Sequence, residues 1–64
     1  MEESAQYYAE TIPEEIDVTS DGAVIVHLSR LGLSAKWIMA NLDEVMKLAQ
    51  IERAYQHQQR AKAS

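Results

Sequence analysis

Glu15-Ile16-Asp17-Val18-Thr19-Ser20-Asp21-Gly22-Ala23-Val24-Ile25-Val26-His27-Leu28 is the stretch on which the fold turns. Residues 15–19 alternate apolar and polar, Ser20-Asp21-Gly22 is a cluster of turn formers, and residues 23–28 are rich in β-branched side chains. Composition and punctuation read as a β-hairpin. A three-residue loop over Ser20-Asp21-Gly22 sets Val18 opposite Val24 and Ile16 opposite Val26, with Leu28 continuing that face. A two-residue loop at Asp21-Gly22 would set Ile16 against His27 instead. The register that keeps one face apolar is favoured, and it puts Gly22 where a left-handed residue is wanted. The other face then carries Asp17, Thr19, Ala23, Ile25 and His27.

A lone hairpin is not stable in water, so its apolar face needs a cover. The stretch from Ser34 to about Arg60 supplies one. It has no internal Gly or Pro and is rich in helix formers. Ser34 is suited to cap its start, and Gly32 frees the preceding backbone to turn. At about 100° per residue, Ile38, Leu42, Val45 and Ala49 share one stripe, with Met39 and Met46 at its edge. Trp37, Leu48, Ile51 and Tyr55 form a second stripe. A helix on a single core normally shows one stripe. Two stripes imply two contacts, one within the subunit and one to another chain; a single wide core face is the simpler alternative.

The expected fold is therefore α+β: a small ββα unit, a β-hairpin at about 15–28 packed on one long C-terminal helix at about 34–60. A short lead precedes it. Pro13 ends whatever structure that lead has. Residues 1–13 are an acidic segment, either a short helix or unstructured. The all-polar run from Gln56 to Lys62 has nothing to anchor it, so fraying is expected over 57–64.

The chain has 64 residues, enough for one domain at most and too few for a generous core. Small folds are commonly stapled by disulfides, a metal or oligomerisation. There is no cysteine, and the two histidines, His27 and His57, lie far apart. Oligomerisation is the staple left open. The absence of cysteine fits a reducing compartment. Met-Glu-Glu-Ser is not a secretory signal, and no apolar run is long enough to span a bilayer. A cytoplasmic protein without a membrane partner is the expectation.

Net charge is −4, unevenly spread. Glu2, Glu3, Glu10, Glu14, Glu15, Asp17 and Asp21 stand in the first 22 residues without a Lys or Arg. Such a head could steer a basic partner, although ordinary solubilising charge explains it as well.

Motifs for chemistry are thin. His27 beside Asp17 would make an incomplete metal or acid–base pair. The serines lack a nucleophile's surroundings, and two glycines make no phosphate loop. Neither enzyme activity nor a cofactor is expected. Residues 28–38, from Leu28 through Gly32 and Ser34 to Ile38, resemble the core of a helix-turn-helix, where a helix ends in a glycine turn and a second begins at a small polar residue. The resemblance implies a small dimeric transcription regulator reading DNA with residues 28–42. Against it stand the strand-like Ala23–Val26, Asn41 at an apolar position, few Lys or Arg, and the acidic total.

The leading expectation is a small protein-interaction module: an adaptor, inhibitor or regulatory subunit. Trp37, Leu48, Ile51 and Tyr55, with Met39 and Met46, are its contact residues, since Trp and Tyr dominate interface energy and Met adapts to irregular surfaces. The expected partners are a second copy, giving a dimer, and another protein. In the sharpest version, the acidic head imitates nucleic acid and occupies a basic nucleic-acid-binding protein. Direct contact with nucleic acid is disfavoured.

Overall fold

The computed structural model describes residues 4–63, with side chains through Gln59. It contains three helices: α1 (Ala5–Glu10), α2 (Asp21–Arg30) and α3 (Ala35–Ala63). The β-hairpin at 15–28 and the α+β class are overturned, because no described residue lies in a strand.

The correction has a local cause. Ser20 is the N-cap of α2 rather than a hairpin residue, and its hydroxyl accepts from the amide of Ala23. Asp21 sits in the first turn, where its charge suits the positive helix end. Val24 and Leu28, four residues apart, are both fully buried, whereas Val26 is 49 % exposed. A hairpin would have put Val24 and Val26 on the same face. Upstream, the Asp17 carboxylate accepts from both the amide and the hydroxyl of Thr19. That bond curls the chain into a turn in place of a ladder. Gly22 is a helical residue, and the positive-φ glycine is Gly32, at +89°.

α2 closes with a Schellman arrangement. The amide of Leu33 donates to the Leu28 carbonyl and that of Gly32 to the Ser29 carbonyl. Ser34 then caps α3 by accepting from the Trp37 amide. All three helices thus start at a serine, since Ser4 accepts from the Tyr7 amide at the head of α1. A six-residue helix such as α1 has no stability of its own. It persists because Ala5 and Ala9 are buried against the rest.

α3 has 29 residues and, at about 1.5 Å per residue, is as long as the molecule's greatest extent of 42 Å. Both shorter helices pack on it. The stripe expected to be buried is the core: Ile38, Leu42, Val45 and Ala49, joined by Met46. Val18, Val24, Leu28 and the α1 alanines complete the cluster. α3 runs without a break through Asn41, whose Nδ2 donates to the Trp37 carbonyl.

The irregular segment 11–20 is held from α3. Gln50 Nε2 donates to the Val18 carbonyl at 3.0 Å, and an Arg53 Nη donates to the Pro13 carbonyl at 2.6 Å. These bonds answer main-chain groups that no regular element can serve.

The two glycines give opposite expectations. A Cβ at Gly22 meets open space and removes a flexible residue from a helix, so Gly22→Ala is expected to stabilise by roughly 0.5–1 kcal/mol. Gly32→Ala forces a side chain into left-handed backbone and is expected to cost about 1–2 kcal/mol. Thermal melts followed by circular dichroism at 222 nm (the helical band) read both; a hairpin would invert the Gly22 result.

Candidate functional site

The face of α3 turned away from the core is the most developed surface feature. Leu48, Ile51 and Tyr55 follow one another along it, roughly 120° around the helix from the core stripe at ~100° per residue. Leu48 is half-buried at the margin of the core, whereas Ile51 is 56 % and Tyr55 59 % exposed. Trp37 stands on the same strip nearer the N-terminus and is half-buried, because α1 reaches it. The Tyr8 ring meets the Trp37 ring edge to face at 5.2 Å, and Tyr7 meets Tyr8 in the same manner at 5.0 Å. Tyr7 is 61 % exposed, so an aromatic row extends the face onto α1.

The other two expected contact residues lie elsewhere. Met46 belongs to the core, at 8 % exposure. Met39 is 72 % exposed but sits on the opposite flank of the core stripe. Tyr7 and Tyr8 join the face without having been singled out as contact residues; the available signal was the Ala5/Ala9 pair, whose burial turns Tyr8 toward α3.

The acidic residues divide by role. Glu2 and Glu3 lie outside the described residues. Glu10 accepts from Gln6 Nε2 on α1, Asp21 begins α2, and Asp17 holds its turn. The Thr19 hydroxyl and amide keep the Asp17 carboxyl below its ordinary value; burial opposes them, and the charge of Arg53 adds to their effect. Glu14 lines a shallow groove with Arg53, Gln56 and His57. Glu10, Glu14, Glu15, Asp17 and Asp21 are all exposed.

His27 is neither on a strand nor beside Asp17 in a paired face. It is a half-buried residue of α2 whose Nε2 lies 3.1 Å from Thr11 Oγ1. The Thr11 hydroxyl hydrogen is already donated to the Tyr8 carbonyl at 2.7 Å. With that hydrogen committed, the Thr11 oxygen can accept from His27 when Nε2 carries the ring hydrogen. The pair ties the end of α1 to α2. Partial burial pushes the imidazole pKa down from its ordinary value, and nearby Arg30 adds to the effect.

Among the described residues, no three His, Cys, Asp or Glu side chains gather to hold a metal. A second shallow groove, lined by Ser34, Lys36, Trp37, Ala40 and Asn41, opens at the start of α3. No described helix is long and apolar enough to cross a membrane. Comparison with protein-family profiles, with curated proteins and with solved structures gives no significant match.

The His27 shift fixes a sign. Its folded pKa lies below its unfolded one, so the unfolded chain binds the proton more tightly. The stabilising effect is complete above the ordinary imidazole value of 6.5 and is lost as pH falls from there toward the lowered folded value. Urea denaturation is expected to show a lower midpoint at about pH 5.5 than at about 7.5, a window that spans ordinary histidine titration. His27→Gln should flatten that difference. An equal drop in both proteins would remove burial of His27 as its cause.

Proposed function

We propose that this chain is a small, non-enzymatic, cytoplasmic protein-interaction module: an adaptor, inhibitor or regulatory subunit that acts by binding protein through the outer face of α3. The carrying observation is the exposure of Ile51 and Tyr55 in line with Leu48 on a helix whose core side is already filled. Large aromatic and aliphatic side chains on a rigid helix are efficient contact residues, because little conformational freedom is lost when they are covered. Self-association as a dimer and capture of a second protein both use such a face. The exposed carboxylates of residues 10–21 supply the attraction for a basic partner, including a nucleic-acid-binding protein.

One observation favours a second reading. Residues 21–30 are helical, so α2, the four-residue turn around Gly32 and the start of α3 form a helix–turn–helix connection. A DNA-binding regulator is the function this connection would serve. It is the weaker reading on charge: the exposed residues opening α3 offer Lys36 as the one cation before Asp43 and Glu44. Affinity for DNA rests mainly on cations at phosphates.

Ile51→Ala/Tyr55→Ala tests the leading reading. Both positions are exposed, so stability should change by no more than about 0.5 kcal/mol per site. The wild-type chain used as bait in a cell extract is expected to retain protein that the double variant does not. Equal retention by both would remove the face from the mechanism. Salt-sensitive retention of duplex DNA by the wild type would turn the conclusion toward the regulator.

A further inference from the structure

The positions that recur along the outer face of α3 at alternating four- and three-residue steps are Trp37, Asn41, Glu44, Leu48, Ile51, Tyr55 and Gln58. This is the seam spacing by which two helices pack along their length. Tyr8 covers the Trp37 end, while Glu44, Ile51, Tyr55 and Gln58 are exposed. The seam is not uniformly apolar. An occupant must offer apolar side chains to Leu48 and Ile51 and hydrogen-bonding groups to Asn41, Glu44 and Gln58. A wholly apolar helix would leave those polar groups buried without partners, which is costly.

We propose that the occupant is a second copy of this chain, its α3 antiparallel to the first, with Leu48 level with the partner's Ile51, Glu44 with the partner's Tyr55, and Asn41 with the partner's Gln58. This rests on the reading of the outer face of α3 as a protein-contact surface. Six of the seven seam residues then meet their own kind of chemistry, and the seventh, Trp37, is met by Tyr8 of its own chain. Leu48 and Ile51 form two apolar layers across the two-fold axis. The Tyr55 hydroxyl donates to the Glu44 carboxylate, a charge-assisted bond made twice. The amides of Asn41 and Gln58 pair at the ends.

The competing registers are worse. A parallel, in-register pair sets Glu44 on the partner's Glu44 inside the seam, so like charges face each other while losing water. Its compensation is a pair of rim contacts between Lys47 and the partner's Glu52, and exposed ion pairs contribute little. Sliding the antiparallel pair by one heptad sets Glu44 against the partner's Leu48 in one direction, or Leu48 against the partner's Gln58 in the other. Flanking charges do not oppose the favoured register, since the nearest residue to Lys47 on its own side of the seam is the partner's Ala54, about two positions off level. Apolar area comes mainly from Leu48, Ile51 and Tyr55, so the interface belongs at the small end of the range and the dimer is expected to be micromolar.

The natural chain has no cysteine, so introduced thiols report cleanly. Lys47→Cys and Ala54→Cys proteins, one carrying a mass tag, are mixed in equal amounts and treated with a short bis-maleimide. The expected product is chiefly the mixed 47–54 dimer. Same-position dimers in excess would indicate parallel helices and overturn the proposal. Sedimentation equilibrium supplies the second arm. Glu44→Gln and Tyr55→Phe are each expected to weaken the wild-type dimer several-fold, whereas a parallel dimer would be tightened by Glu44→Gln. A wild-type chain that stays monomeric into the high micromolar range overturns the second-copy assignment. If retention of extract protein still depends on Ile51 and Tyr55, the broader reading survives that result. If it does not, both fall.

Discussion

Everything in this fold depends on one strip of α3. Ile38, Leu42, Val45, Met46 and Ala49 are the floor on which α1, α2 and the segment between them are laid. A chain this small has no second layer with which to build a core. The strip must therefore serve two helices at once, and the small side chains of Ala5 and Ala9 on one side and the fully buried Val24 and Leu28 on the other show how both come close enough. Burial alone would not place the intervening segment, whose main chain makes no regular ladder. Long polar side chains from α3 do that, through Gln50 and Arg53. Packing and polar satisfaction thus come from the same helix.

The parts of this structure that were legible in the sequence are those where one periodicity dominates. The helix from Ser34, its core stripe and the glycine turn before it follow from spacing and caps. Residues 15–28 were misread because Val24, Val26 and Leu28 satisfy a period of two while Val24 and Leu28 satisfy a spacing of four. Ser20-Asp21-Gly22 is equally at home in a turn or at a helix start, since the same side-chain-to-backbone bonds serve both. The deciding term was tertiary: the α3 strip is wide enough for a second helix, and that overrides the preference of β-branched residues for strands. Of the contact residues, Ile51 and Tyr55 were readable as a stripe apart from the core. Met46 was not, because a residue at the edge of the core stripe is buried or left out according to how wide a cover the shorter helices make, and here it is buried while Met39 is not. The Thr11–His27 link spans 16 positions and leaves no local pattern to find.

The acidic head looks different once folded. Asp17 and Asp21 help to begin local structure, and Glu10 is engaged on its own helix. Charge that reads as a partner-steering block in one dimension is partly the chain's own scaffolding in three. What these groups present outward is their negative field as a set.

The two connections between helices are unequal in kind, and this bears on the order of assembly. The α2–α3 turn is closed by its own main chain over a handful of residues. The α1–α2 segment depends on side chains farther off: His27, 16 positions from Thr11, and Gln50 and Arg53, more than 30 positions away on α3. Closing the nearer loop costs less entropy, so the α2–α3 pair is the natural nucleus and α1 the late arrival. In kinetic terms the molecule is a hairpin of helices with a latch. The latch carries Tyr8, which sets the environment of Trp37, the chain's single tryptophan, at the edge of the outer face. On that order of assembly, the arrival of α1 also completes the aromatic edge of the outer face.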